Sequence, residues 1–98
     1  MKNYLEKITG GTTFSEALKA LKAGERLTRS GWNGRDMFVF LVKGSQFTVN
    51  REPLQSILGA GTEVNYRPHI DIKNADGSIS TWVPSIGDVM ADDWDIAA

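Results

Sequence analysis

A chain of 98 residues with 11 Lys and Arg against 12 Asp and Glu carries a net charge of −1 and no cysteine. That balance argues against a protein that coats duplex nucleic acid, which needs clustered cations. Without cysteine there are no disulfides or thiolate metal sites, and no apolar run approaches the ~20 residues of a membrane span.

One domain is expected over 1–98, with 1–11 as an N-terminal extension and 12–96 as the core. The extension holds Lys2, Glu6 and Lys7, so it lacks the apolar stretch of a secretory signal. Residues 13–23 read as the main helix. Phe14, Ala17, Leu18 and Leu21 form a one-sided stripe, Thr13 and Glu16 have capping-box spacing, and Gly24 is a C-terminal stop. Residues 26–29 are a short strand, followed by a loop around Trp32. Residues 37–42, Met-Phe-Val-Phe-Leu-Val, are the strongest strand and are apolar on both faces, so the sequence predicts a central or doubly covered position. A turn at 43–45 leads to 46–49, expected to pair back. Residues 53–58 read as a short helix ended by Gly59-Ala60-Gly61. Residues 63–73 are extended, interrupted by Pro68. Asn74-Ala75-Asp76-Gly77 is a hairpin turn, with 78–83 as the partner strand. Ser85 and Asp88 cap a short helix to Ala91, and 93–96 close the sheet. The sum is α+β: one amphipathic N-terminal helix, a small antiparallel sheet, short second helices and long structured loops.

The Trp32 loop, Gly31-Trp32-Asn33-Gly34, is the sharpest functional signal. An indole in a loop offers a face for stacking, and flanking glycines let backbone N–H groups approach a ligand. Burial beneath loops is the competing reading for Trp32, Trp82 and Trp94. Trp94 is expected to pack on the core with its N–H outward. Arg29, Arg35 and Arg67 offer bidentate contacts to phosphate. Lys19, Lys22, Arg26, Arg29, Arg35 and Lys43 lie in the first half, whereas Asp88, Asp92, Asp93 and Asp95 lie at the end. Solvated surface is one reading of that asymmetry; a small-anion pocket or head-to-tail pairing of subunits is the other. His69 and Asp71 share a strand face and could orient a base, but no convincing nucleophile accompanies them. Neither a calcium loop nor a phosphate loop is visible, so no metal and no cofactor are expected.

Several motifs run in an order that resembles a known family. They are Phe14-Ser15-Glu16-Ala17-Leu18, Arg29-Ser30-Gly31-Trp32-Asn33-Gly34, Gly44-Ser45-Gln46-Phe47-Thr48-Val49, Tyr66-Arg67-Pro68-His69-Ile70-Asp71, Lys73-Asn74-Ala75-Asp76-Gly77 and Asp92-Asp93-Trp94. The family is the small phage and prophage group that includes Thoeris anti-defence protein 2. The resemblance implies a sponge in the host bacterial cytoplasm, acting without catalysis. It would sequester a cyclic ADP-ribose signal, notably 1″–3′ glyco-cyclic ADP-ribose, and so block Thoeris-type immunity. Some relatives are implied to hold cyclic oligonucleotide signals at a separate site. It also implies a homo-oligomer, typically a tetramer, with pockets between subunits. On that reading Trp32 stacks the base and Asn33 bonds its edge or a ribose. Arg67 and the backbone near Gly31 and Gly34 meet the pyrophosphate, and His69 is a further ligand contact. Trp82, Ser85 and Asp88 close the pocket from another subunit. The chain departs from the family pattern at Pro84-Ser85-Ile86-Gly87-Asp88, where a Ser-Gln-Thr-Asp type segment is expected. Two other functions compete: a phage protein-interaction module or structural accessory without a nucleotide pocket, and a small enzyme built on His69 and Asp71.

Overall fold

The structure is a computed structural model and describes residues 11–97. The N-terminal extension lies outside those residues, except for Gly11. Thr13 ends the extended entry and accepts the Glu16 N–H, starting helix α1 (Phe14–Lys22). Glu16 turns to Lys19, 3.6 Å away. Ala17, Ala20 and Leu21 form the buried stripe. Gly24 then takes a φ of 99°, a left-handed stop that glycine adopts without strain.

Strands β1 (Leu27–Arg29) and β2 (Phe38–Val42) come next, followed by β3 (Ser45–Thr48), helix α2 (Leu54–Leu58) and β4 (Glu63–Tyr66). Then come β5 (His69–Lys73), β6 (Ile79–Thr81), helix α3 (Ile86–Met90) and β7 (Trp94–Ile96). The main sheet has the order β6-β5-β2-β1-β7 and is antiparallel throughout. β2 is central, as its composition predicts. Its two faces differ, however. Val39 is sealed in the core beneath α1, along with Leu27, Ile72 and Trp94. Phe38 and Phe40 point the other way, where no second layer covers them. The Arg26 guanidinium lies 5.1 Å from the Phe38 ring centre and the Lys73 ammonium 5.8 Å.

The second difference concerns β3, expected to pair back. It pairs with β4 instead, in a separate two-stranded ribbon. The reason is edge occupancy. β1 takes one edge of β2 and β5 takes the other, with Val42 opposite His69, so β2 has no free edge to offer. Gly44 makes the exit possible, since a Cβ there would stand 2.8 Å from the Tyr66 carbonyl oxygen. Pro68 separates β4 from β5 at the same point.

The ribbon and α2 form an arm. At its root the Tyr66 ring meets His69 edge-on at 5.3 Å. Beyond that, among the described residues, no arm element packs against the sheet or α1. The molecule is elongated accordingly, 49 × 33 × 24 Å with a radius of gyration of 16.5 Å. A compact chain of this length would have a radius near ~13 Å.

Candidate functional site

Three tryptophans distant in sequence meet on the helix-covered side of the sheet. Trp94 is fully buried and forms the floor. Trp32 stands perpendicular to it, with centroids 5.4 Å apart, and Trp82 stands perpendicular to Trp94 at 6.0 Å. Trp32 and Trp82 meet edge to face at 6.4 Å, so the two half-buried indoles form a corner. Phe14 of α1 closes the cluster at 5.6 Å from Trp94. The Trp94 N–H is not outward, as the sequence suggests. It donates to the Asp88 carbonyl at 2.9 Å, because full burial requires a partner for that donor.

Asp88 orders this corner. It is 8% exposed, although it sits on a five-residue helix whose apolar side chains face out. Ser85 and Asp88 form a complete capping box that turns the carboxylate inward. One oxygen accepts the Ser85 N–H at 2.9 Å. The other accepts Arg29 Nη1 at 2.9 Å and Trp32 Nε1 at 3.1 Å. Arg29 also donates through Nε to Asp93 at 2.7 Å. Asp93 in turn accepts the Gly31 N–H at 2.8 Å and so fixes the start of the Trp32 loop.

The electrostatics follow from these contacts. Burial alone would raise the Asp88 pKa, but donation from the Ser85 N–H, Arg29 and Trp32 outweighs it and holds the carboxyl below its ordinary value. Asp93 is lowered chiefly by the hydrogen bond from Arg29, and Arg29 is raised by both carboxylates. The basic first half and acidic end of the sequence therefore meet inside one protomer. Arg29 is engaged here and is not a free phosphate clamp. The Gly31 N–H is likewise taken by Asp93 rather than free for a pyrophosphate.

Trp32, Trp82, Ser85 and Asp88 are thus brought together within one protomer, whereas the sequence assigns the last three to a neighbouring subunit. Asn33 is exposed beside them. Gly34 packs closely on the hairpin turn, where a Cβ would stand 2.8 Å from Ala75 Cβ. Arg67 and His69 form a separate group at the arm root. His69 faces the Phe38 and Phe40 side, opposite to its neighbour Ile70, which joins the core. Its Nε2 lies 3.3 Å from Asp71 and its Nδ1 3.3 Å from the Arg67 carbonyl oxygen. Both ring nitrogens therefore face groups of their own chain. The Arg67 guanidinium is exposed. Sequence reasoning missed Arg29, Asp88 and Asp93 as one network. Their separations of 59 and 64 residues leave no local signal beyond the Ser85–Asp88 cap.

Two depressions lie elsewhere. One of about 450 Å³ on the arm is lined by Phe47, Arg51 and Leu54 among others. One of about 510 Å³ on the uncovered sheet face is lined by Arg26, Phe38, Lys73 and Ile79 among others. Neither is lined by Trp32 or Trp82. Among the described residues no group of His, Cys, Asp or Glu is placed to hold a metal ion, and no helix is long and apolar enough to cross a membrane.

Fold and site together define a small α+β domain whose aromatic corner is locked by a partly buried ion-pair network. The chain belongs to the Thoeris anti-defense 2-like family, whose domain it matches over residues 12–97. It is similar to Thoeris anti-defense 2 of Bacillus phage SP01, with 45% identity over 91 residues, 88% of this chain and 94% of that protein.

Proposed function

We propose that this chain is a phage-type anti-defence sponge, binding a cyclic ADP-ribose-type signal without cleaving it and so blocking Thoeris-type immunity. The preferred ligand is 1″–3′ glyco-cyclic ADP-ribose, and the site of action is the host bacterial cytoplasm. Family membership supports the anti-defence role. The observation that carries the binding role is the indole corner, with Trp32 Nε1 donating to Asp88 at 3.1 Å and Trp82 set edge-on. A fixed indole stacks a nucleobase with little ordering cost. Asn33 at its rim reads the base edge or a ribose hydroxyl. Ser85 and Asp88 act by holding the indole, since their polar atoms are already hydrogen-bonded. Arg67 and His69, on the other side of the sheet, reach a ligand only from a second protomer. That arrangement fits a homo-oligomer, a tetramer, with pockets between subunits.

A sponge must hold a scarce signal, and a nanomolar dissociation constant corresponds to about −12 kcal/mol. Enclosure between protomers reaches that more readily than an open corner does. The test incubates the full-length protein with 1″–3′ glyco-cyclic ADP-ribose and follows the ligand by mass-resolved chromatography. A sponge depletes free ligand and returns it unchanged on heating. Altered product would make the protein an enzyme. Ligand left free would favour a protein-interaction module.

A further inference from the structure

We propose that the arm of one protomer docks through its α2 tip onto the outer face of α3 in a second copy of this chain, reciprocally, beside the indole corner. This names the contact for the assembly proposed above and does not depend on which ligand is bound.

Two patches on the protomer lack a partner. The first is the arm tip. Ile57 is 70% exposed and Leu58 nearly half exposed. The arm buries one apolar side chain deeply, Val49, and leans on nothing else in the body. A two-stranded ribbon without a third strand or a packed layer is marginal in water. Its order calls for a surface supplied from outside the protomer.

The second patch is α3, whose polarity is inverted. The helix buries Asp88 and exposes Ile86 by 80% and Met90 by 76%, with Val83 beside them. A solvent-facing helix ordinarily does the opposite. The inward turn of Asp88 follows from the capping box and the Arg29 network, so the apolar residues are forced outward together. Clustered exposed apolar side chains mark an interaction surface.

The two patches suit each other. Both are aliphatic, and each carries one charge without an ion pair among the described residues. Arg51 is at the arm tip and Asp92 follows α3. In a two-fold pair each protomer supplies one tip and one α3 face, so the contact is made twice. Such doubling carries small patches toward the ~800 Å² per partner of a stable interface. α3 also carries Ser85 and Asp88 behind the indole corner, so an arm seated there walls the site and completes an enclosure that one protomer lacks.

Complementation tests this contact. An arm variant, Ile57→Asp with Leu58→Asp, and a face variant, Ile86→Asp with Met90→Asp, are each measured by sedimentation. Circular dichroism verifies that both remain folded. Each alone should lose self-association by at least tenfold in dissociation constant. Mixed, they should re-associate, because the intact arm of the face variant meets the intact α3 of the arm variant. The cysteine-free background allows a second readout. Ile57→Cys mixed with Met90→Cys should give mainly the mixed disulfide dimer on oxidation. Variants that stay associated, a mixture that stays apart, or cross-links only between like positions would each overturn the contact while leaving ligand binding untouched. A wild-type chain that is monomeric yet retains the nucleotide would overturn the assembly alone.

Discussion

Removing the Asp88 carboxylate should destabilise the protein more than any exposed charge would, and the structure sets the size. Asp88→Ala deletes the acceptor of three hydrogen bonds, from Ser85, Arg29 and Trp32. Breaking a fully buried pair costs ~3–5 kcal/mol. Here Asp93 still neutralises Arg29, whose side chain is 19% exposed, so ~1–2 kcal/mol is the apt figure for that component. Loss of the helix cap adds ~1 kcal/mol, and the stranded Trp32 N–H adds another ~1 kcal/mol. The total is about 3–4 kcal/mol. For a domain under 100 residues each kcal/mol moves Tm by ~4–8 °C, so a fall of about 12–30 °C is expected. Asp88→Asn keeps an oxygen for the cap but loses the charge, and about half that fall is expected. Thermal unfolding followed by circular dichroism at pH 7 reads both variants. A fall below about 5 °C for Asp88→Ala would show that the network does not hold the corner.

Asp88 and Asp93 bind protons less readily folded than unfolded, so the stability they confer is fully present above the ordinary aspartate value and is lost as pH falls below about 4. Melting temperature should be flat from pH 5 to 8 and drop steeply beneath pH 4, and Asp88→Asn should flatten that drop; an equal slope in wild type and variant would refute the assignment. Gly34→Ala should cost ~1–3 kcal/mol through overpacking against Ala75 and the Met37 side chain, visible as a lower urea midpoint with an unchanged slope. A Gly34→Ala protein as stable as wild type would show that the loop yields freely.

Local features of this chain are legible because neighbours in sequence create them. The α1 stripe, the Asn74–Gly77 turn and the Ser85–Asp88 capping box each depend on contacts within a few residues, and all three stand in the structure. The partner of β3 is not legible, because it depends on both edges of β2 being filled by strands elsewhere in the chain. The Arg29 network is hidden for the same reason. Arginine and aspartate give no local sign of a partner some sixty residues away, and clustered charges look alike whether solvated or paired. Trp32 lies between the two cases. Its loop is readable from Gly31 and Gly34, but its inward turn depends on the acceptor that Asp88 provides.

That inward turn changes what a substitution at Trp32 can show. The indole packs on Trp94 and Trp82 while also forming the proposed stacking wall, so Trp32→Ala should weaken both core and site. A half-buried aromatic removed from such contacts costs ~2–3 kcal/mol, somewhat below the fully buried case. With an initial stability of ~5 kcal/mol or more, the variant stays largely folded, since a remaining ~1.4 kcal/mol already keeps about nine molecules in ten native. Unfolding alone would then lower apparent affinity by little more than a tenth. Loss of the stack predicts much more, ~1–3 kcal/mol or roughly five- to 150-fold. Trp32→Phe keeps a smaller ring, loses the N–H to Asp88, and should fall between Ala and wild type in affinity. Calorimetric titration with 1″–3′ glyco-cyclic ADP-ribose, beside a melting curve for each variant, separates the two contributions. If Trp32→Ala melts lower yet binds within twofold of wild type, the indole serves the core alone and the stacking wall must be sought elsewhere.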